Sequence, residues 1–391
     1  MKRIVICVML MLFFVLNVGH CDLAYANEFD VEKKIEEQTH NQIKELDLED
    51  LKNCYKDLNL DIAENLSATE VIQNIVDGKF SLSFGQMVHS VFNSIAVSFR
   101  KILPFIGVML GIILLASMIN RIKSQKFESG VSEIVFFSSY LVLLLIVSGL
   151  VVSKISEIND AICKMRSQMN AVFPILLVLM TCSGATTSVK MYQPAVAALA
   201  GGVSSVFSYI LLPLISVMFV VCVVSNLSDN VKLNRFQDFL SSAFKWIIGS
   251  VSAIFMAFLA VKGISSATYD GVSIRTAKYA IKNYIPIIGG YISEGFELVI
   301  TSSIILKNGI GVFAIIMLLS TVLAPIASIA VLSLSLKLVS AVSEPVSDKK
   351  FAGFLSSVSK TLSMLCVVLI VVALMYFLSL ALIVSTANGL V

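Results

Sequence analysis

The chain has 391 residues, 57% of them hydrophobic and only 14% charged, against about 25% charged in an average soluble domain. With a mean hydropathy of +0.90, most of it belongs in a bilayer. Its net charge of +3 is spread without a basic cluster, which excludes a nucleic-acid-binding surface.

The first residues read as a targeting segment. Lys2 and Arg3 are followed by an apolar run from Ile4 to Val18 and by Ala24-Tyr25-Ala26, the small-residue pattern of a signal peptide cleavage site. The expected signal peptide is 1–26, and export of Asn27 places an acidic region, 27–85, on the outer side of the membrane. Short amphipathic helices are expected there, with Ile35, Ile43, Leu46 and Leu51 as one apolar stripe and Ser67 with Glu70 as a capping box. About fifty residues bury little core by themselves, so the region is either a solvated spacer or a docking surface for an outer-side partner.

Eight long hydrophobic segments follow, near 103–119, 134–153, 171–189, 194–225, 246–268, 284–306, 308–336 and 361–387. The third and sixth are short or polar for spans, and each opens on a proline, Pro174 or Pro286; each either crosses or re-enters. Pro174 and Pro286 are 112 residues apart, as are Pro213 and Pro325. The stretch from Phe236 to Lys245, FQDFLSSAFK, matches FAGFLSSVSK from Phe351 to Lys360 at an offset of 115. Landmarks in the same order at nearly one offset indicate a tandem duplication. The expected organisation is a first membrane hairpin, 86–160, then repeat unit one, 161–269, and repeat unit two, 270–391. A fainter third copy precedes them, since Pro104 to Phe127 spans the same 23 residues as Pro213 to Phe236.

The fold class is therefore all-α, a polytopic integral membrane helix bundle with a tandem internal repeat behind a short exported helical segment. If all eight segments cross, the second copy is inverted and the hinge from Asp270 to Asn283 is cytoplasmic, where Arg275, Lys278 and Lys282 satisfy the positive-inside rule. If 171–189 and 284–306 re-enter, the copies are parallel. The aromatic runs 236–245 and 351–360 present one apolar face each, to lie in the interface or brace the bundle.

Candidate functional residues fall in three groups. Pro174, Pro213, Pro286 and Pro325 are candidate helix breaks, which can frame a site near the membrane midplane. Glu294 and Glu297, three apart in an apolar segment, are candidate pathway charges or partners for Lys282 or Lys307. Arg275, Lys278 and Lys282 share one helical face and are a candidate dock for an acidic partner; the plainer reading is membrane anchoring. Lys262 lies near a segment end and can snorkel. Nothing carries chemistry: nucleotide-loop, zinc-protease and serine-elbow motifs are missing, and the cysteines that follow the signal segment look like small core residues. No enzyme, metal or cofactor is expected.

The run DGVSIRTAKY from Asp270 to Tyr279, with Asn283-Tyr284-Ile285-Pro286, Leu306-Lys307-Asn308 and the ending FLSLALIVSTAN from Phe377 to Asn388, resembles the stage III sporulation protein AE family. The resemblance implies an integral membrane subunit of the channel-like, secretion-like apparatus joining mother cell and forespore, needed for forespore development and late forespore gene expression. It implies other membrane and ring-forming subunits and a separate cytoplasmic ATPase as partners, no nucleic acid, and a place in the mother-cell membrane around the forespore. It supplies no catalytic residues. The alternative is a self-sufficient secondary transporter or permease for a small solute, for which the repeat and the prolines argue.

Overall fold

A computed structural model describes residues 29–56, 67–79, 84–126, 129–227, 233–284, 289–345 and 349–386. The signal segment and Pro286 lie outside these residues. Three short helices come first: α1 (Phe29–Glu45), α2 (Glu49–Lys56) and α3 (Ala68–Val76). Then follow α4 (Phe84–Lys126), α5 (Ser129–Cys182) and α6 (Thr186–Ala197). The chain continues through the short α7 (Ser204–Val206) to α8 (Leu212–Leu227), α9 (Asn234–Tyr284), α10 (Gly289–Ser343) and α11 (Lys349–Ser385). The described residues form an all-α bundle in which six helices are long and apolar enough to cross a membrane.

Six helices replace the eight expected crossings because two pairs of segments fuse. Segments 134–153 and 171–182 are both part of α5, with the rest of the third segment passing through a turn into α6; the 54 residues of α5 extend about 80 Å at 1.5 Å per residue, far beyond a hydrocarbon core of about 30 Å. The polar stretch between them, Lys154 to Asn170, contains neither glycine nor proline, so its charges mark helix leaving the apolar zone and no helix end. The sixth segment from Gly289 onward and segment 308–336 fuse in the same way within α10, which has 55 residues. Here Gly309 and Gly311 resemble helix stops in sequence, yet they stay helical because neighbours occupy the space a side chain would take. A Cβ on Gly309 would stand 2.6 Å from Val76 Cγ2, and one on Gly311 would stand 2.1 Å from Val384 Cγ2. The aromatic runs are likewise no separate loop helices; they are the opening turns of α9 and α11. The expected unit boundaries at 160/161 and 269/270 fall within the continuous helices α5 and α9.

Pairs of contacts fix the directions. Lys307 reaches Val384 at one end of α10, and Ser340 reaches Ala352 at the other, so α10 and α11 are antiparallel. Tyr140 packs on Phe351 and Phe354, bringing the start of α5 to the start of α11. Tyr192 meets Thr386, Ser204 meets Tyr376, and Asn226 lies against Gly353, so α6 to α8 descend alongside α11 towards that same end. The hairpins α4–α5, α8–α9 and α10–α11 thus turn at one common end, and each has its proline, Pro104, Pro213 or Pro325, on its first helix. The last two hairpins are parallel copies, and the inverted arrangement does not occur.

The three short helices sit at the opposite end as a cap. Gln42 Nε2 donates to Ser303 Oγ at 3.2 Å, Tyr55 packs on Phe313 with ring centroids 5.5 Å apart, and Val76 covers Gly309. Ile43, Leu48, Leu51, Val71 and Ile72 are buried, and the α3 capping box forms, with Ser67 N–H donating to Glu70 Oε2 at 2.7 Å. Only four residues separate Tyr284 from Gly289, a reach under about 20 Å even when extended, so the hinge shares the cap end. The hinge side expected from eight crossings is therefore reversed: four membrane helices lie between cap and hinge, and an even number returns the chain to its starting side.

Candidate functional site

The centre of the molecule is α10, packed against α11, α4, α5, α9 and the cap helices α1 and α3. Its apolar surface is crossed by single polar contacts at successive levels. Near the hairpin ends, Ser340 Oγ donates to Ala352 O at 2.8 Å, and Ser333, Ser359 and Ser363 form a hydroxyl cluster between α10 and α11. Further along, Lys154 of α5 pairs with Glu157 and donates to Ser328 Oγ. Buried Gln168 of α5 then donates from Nε2 to Thr321 Oγ1 at 2.7 Å. Pro325, one turn on, has no N–H to offer the Thr321 carbonyl, so the α5 amide meets α10 beside the turn weakened by the proline. In an apolar surrounding a polar side chain left unmatched costs free energy, so each contact fixes one register of α10 against its neighbours.

At the cap end Lys307 is fully buried. Its Nζ donates to Val384 O at 2.9 Å and also to Thr386 O, the last carbonyls of α11, and Thr386 Oγ1 meets Tyr192 Oη at 3.1 Å. A helix C-terminus presents unpaired carbonyls and a partial negative charge, and an ammonium group satisfies both. Lys307 therefore caps α11 from inside the bundle. Sequence reading named it as a partner for Glu294 or Glu297 and within the run Leu306-Lys307-Asn308; a lysine flanked by long apolar runs was the signal that singles it out.

The other expected site residues are scattered. Glu294 and Glu297 are exposed on the opening turns of α10, while Lys307 turns to α11. The helix runs on through Pro174 and Pro325, whereas Pro213 follows a wide π turn, Phe207–Leu211, that accommodates its ring. Arg275, Lys278 and Lys282 lie on α9, whose backbone is helical there; their side chains lie outside the described residues. Cys222 and Cys366 are buried, Cys54 sits 3.6 Å from Ser167 Oγ, and Cys163 and Cys182 are exposed; all five thiols are free. Among the described residues one group of side chains has the composition of a metal centre, Glu36, His40 and Asp77, in the cap.

Comparison with known proteins places this architecture. The family model of stage III sporulation protein AE matches residues 66–387. Stage III sporulation protein AE of Bacillus subtilis (strain 168) is 25% identical over 320 residues, 81% of this chain and 79% of that protein. No solved structure matches. The match opens just before α3 and runs past the end of α11, taking in the part of the cap that seals Gly309, the six membrane helices and the Lys307 cap, and on that extent this multi-pass membrane protein belongs to the stage III sporulation protein AE family.

Proposed function

We propose that this sporulation protein is an integral membrane subunit of the channel-like apparatus between mother cell and forespore, needed for forespore development and late forespore gene expression. The observation that carries the reading is the family match across the whole membrane body. The bundle supports it: polar groups are spent on locking helices together, as suits a scaffold that presents surfaces to other subunits. The protein performs no catalysis of its own in this reading, and a separate cytoplasmic ATPase supplies the energy. The signal segment 1–26 is removed, the cap is outside, and the chain resides in the mother-cell membrane around the forespore.

Partner surfaces follow from the two ends. In the sequence Arg121, Lys123 and Lys126, then Lys232 and Arg235, then Lys349 and Lys350 flank the three hairpin turns, which in this reading face the cytoplasm and the ATPase. Arg275, Lys278 and Lys282 share the end of the cap, so they dock an acidic surface of an exported, ring-forming subunit. Affinity capture of the tagged chain from sporulating cells tests this. Co-purification of further membrane and ring-forming subunits is expected, and Arg275→Glu with a compensating lysine nearby removes the ring-forming subunit while the chain still inserts. Specific solute flux by the purified chain alone in vesicles would instead establish the transporter.

A further inference from the structure

The cap contains a cluster whose geometry calls for a cation. Glu36 and His40 are four apart on α1 and so project from one face, and Asp77 closes the C-terminus of α3 opposite them. The ligating atoms of the three side chains lie within 4.8 Å of one another. Asp77 has only 10% of its side chain exposed, and its Oδ1 accepts no hydrogen bond. A buried carboxylate oxygen without a donor is costly. His40 Nε2 faces it at 3.4 Å, beyond the 2.7–3.2 Å of an N–H···O bond. That separation matches a different geometry, because two ligands each about 2.0–2.1 Å from a tetrahedral zinc stand about 3.4 Å apart.

We propose that Glu36, His40 and Asp77 bind a divalent transition-metal cation of the zinc class, which clasps α1 to α3. Imidazole with two carboxylates is a ligand set such ions accept, and three protein ligands leave a fourth position to water. The surroundings fit. Lys79 Nζ donates to Asp77 Oδ2 at 3.0 Å, leaving Oδ1 for the metal, and the two carboxylates against one lysine leave a negative site. Gln73 Nε2 lies 3.4 Å from His40 Nδ1. When Nε2 takes the metal, Nδ1 carries the proton, and a half-turn of the Gln73 amide gives it Oε1 as acceptor, the type of contact that orients a ligating histidine.

The test uses the full chain purified in detergent and stripped with chelator, titrated calorimetrically with zinc ion alone. One zinc per chain is expected at a site lost in His40→Gln, weakened about 10- to 100-fold in Gln73→Leu, and tightened in Lys79→Ala, which removes a competing cation. Zinc should slow amide hydrogen exchange in α1 and α3 of the parent chain and leave His40→Gln unchanged. That variant's helix content and metal-free exchange report its fold, and Asp77→Asn serves as a second ligand variant. Equal zinc affinity in the parent, His40→Gln and Asp77→Asn would assign binding to the free thiols and overturn the proposal, as would failure of the parent to bind.

Discussion

The α8–α9 and α10–α11 hairpins carry the same landmarks in sequence and occupy opposite environments. In α11, Phe351, Phe354, Leu355 and Val358 are buried against Tyr140 and its neighbours. Their counterparts in α9, Phe236, Phe239, Leu240 and Ala243, divide: Leu240 is buried, whereas Phe236 and Phe239 stack on each other at the surface, where Trp246 is exposed too. In the most apolar window of α11, 67% is buried within the molecule, against 17% in that of α9. The difference comes from position: α10 and α11 are enclosed by α4, α5, α8 and the cap, while α9 closes one edge. A duplicated apolar pattern therefore fixes insertion and local helicity, and leaves open whether a face meets protein or lipid.

The comparison breaks most sharply on orientation. In a cysteine-free chain, cysteines placed at Ser273 and at Asn230 should give opposite labelling by a membrane-impermeant thiol reagent in intact cells, Ser273 reacting and Asn230 protected. Equal labelling would overturn the six-helix arrangement. Next in size is the aromatic pair: Phe354→Ala should cost about 3–5 kcal/mol and Phe239→Ala within about 0.5 kcal/mol in thermal or denaturant unfolding in detergent. Similar losses at both sites would mean that α9 is covered as fully as α11.

Glycine substitutions sharpen the contrast through their sign. Gly311→Ala drives a Cβ to 2.1 Å from Val384, whose branched side chain has little freedom to yield, and should destabilise by about 1–3 kcal/mol. Gly249→Ala on α9 meets nothing within 4 Å and should stabilise by about 0.5–1 kcal/mol through helix propensity. Lys307→Met leaves the last α11 carbonyls without their donor at a cost of about 2–3 kcal/mol, and Lys245→Met on exposed α9 should be silent. Melting temperatures of the paired variants decide both.

The smallest effect belongs to the cap, which covers α10 and, through Cys54 beside Ser167, touches α5. Backbone and side-chain hydrogen bonds from Ser67 hold the Glu70 carboxyl below its usual range. A carboxyl depressed in the folded state stabilises α3 above its ordinary pKa, and that contribution is lost as pH falls through the folded value. Hydrogen exchange of α3 amides should accelerate below about pH 4 in the parent chain and show no such step in Glu70→Gln. An identical profile in both would show that the capping box contributes nothing to docking.

Much was legible beforehand. The capping box at Ser67, the apolar stripe through Ile43 and Leu51, the helical class and the hairpin landmarks are local properties that short stretches of chain encode. Crossing number was misread because charges between Lys154 and Asn170 and glycines at 309 and 311 look like helix ends. A helix longer than the membrane is thick carries polar residues without stopping, and a glycine that admits a neighbouring valine looks like one that ends a helix. Lys307 was given the wrong partner and Gln168 was passed over because their partners, Thr386 and Thr321, lie 79 and 153 residues away.

The sequence by itself determined that this protein lives in a membrane as helices, that two of its hairpins share an origin, and that its family is the sporulation one. Periodicity, hydropathy and motif order are written residue by residue along the chain. Tertiary structure alone decided that the hairpins are parallel, that the cap seals α10, and that Lys307 closes α11. Each depends on which surfaces meet, and close approach selects its residues from distant parts of the chain: Val76 opposite Gly309, Val384 opposite Gly311, and an ammonium group beneath two carbonyls that have no other helix turn to pair with.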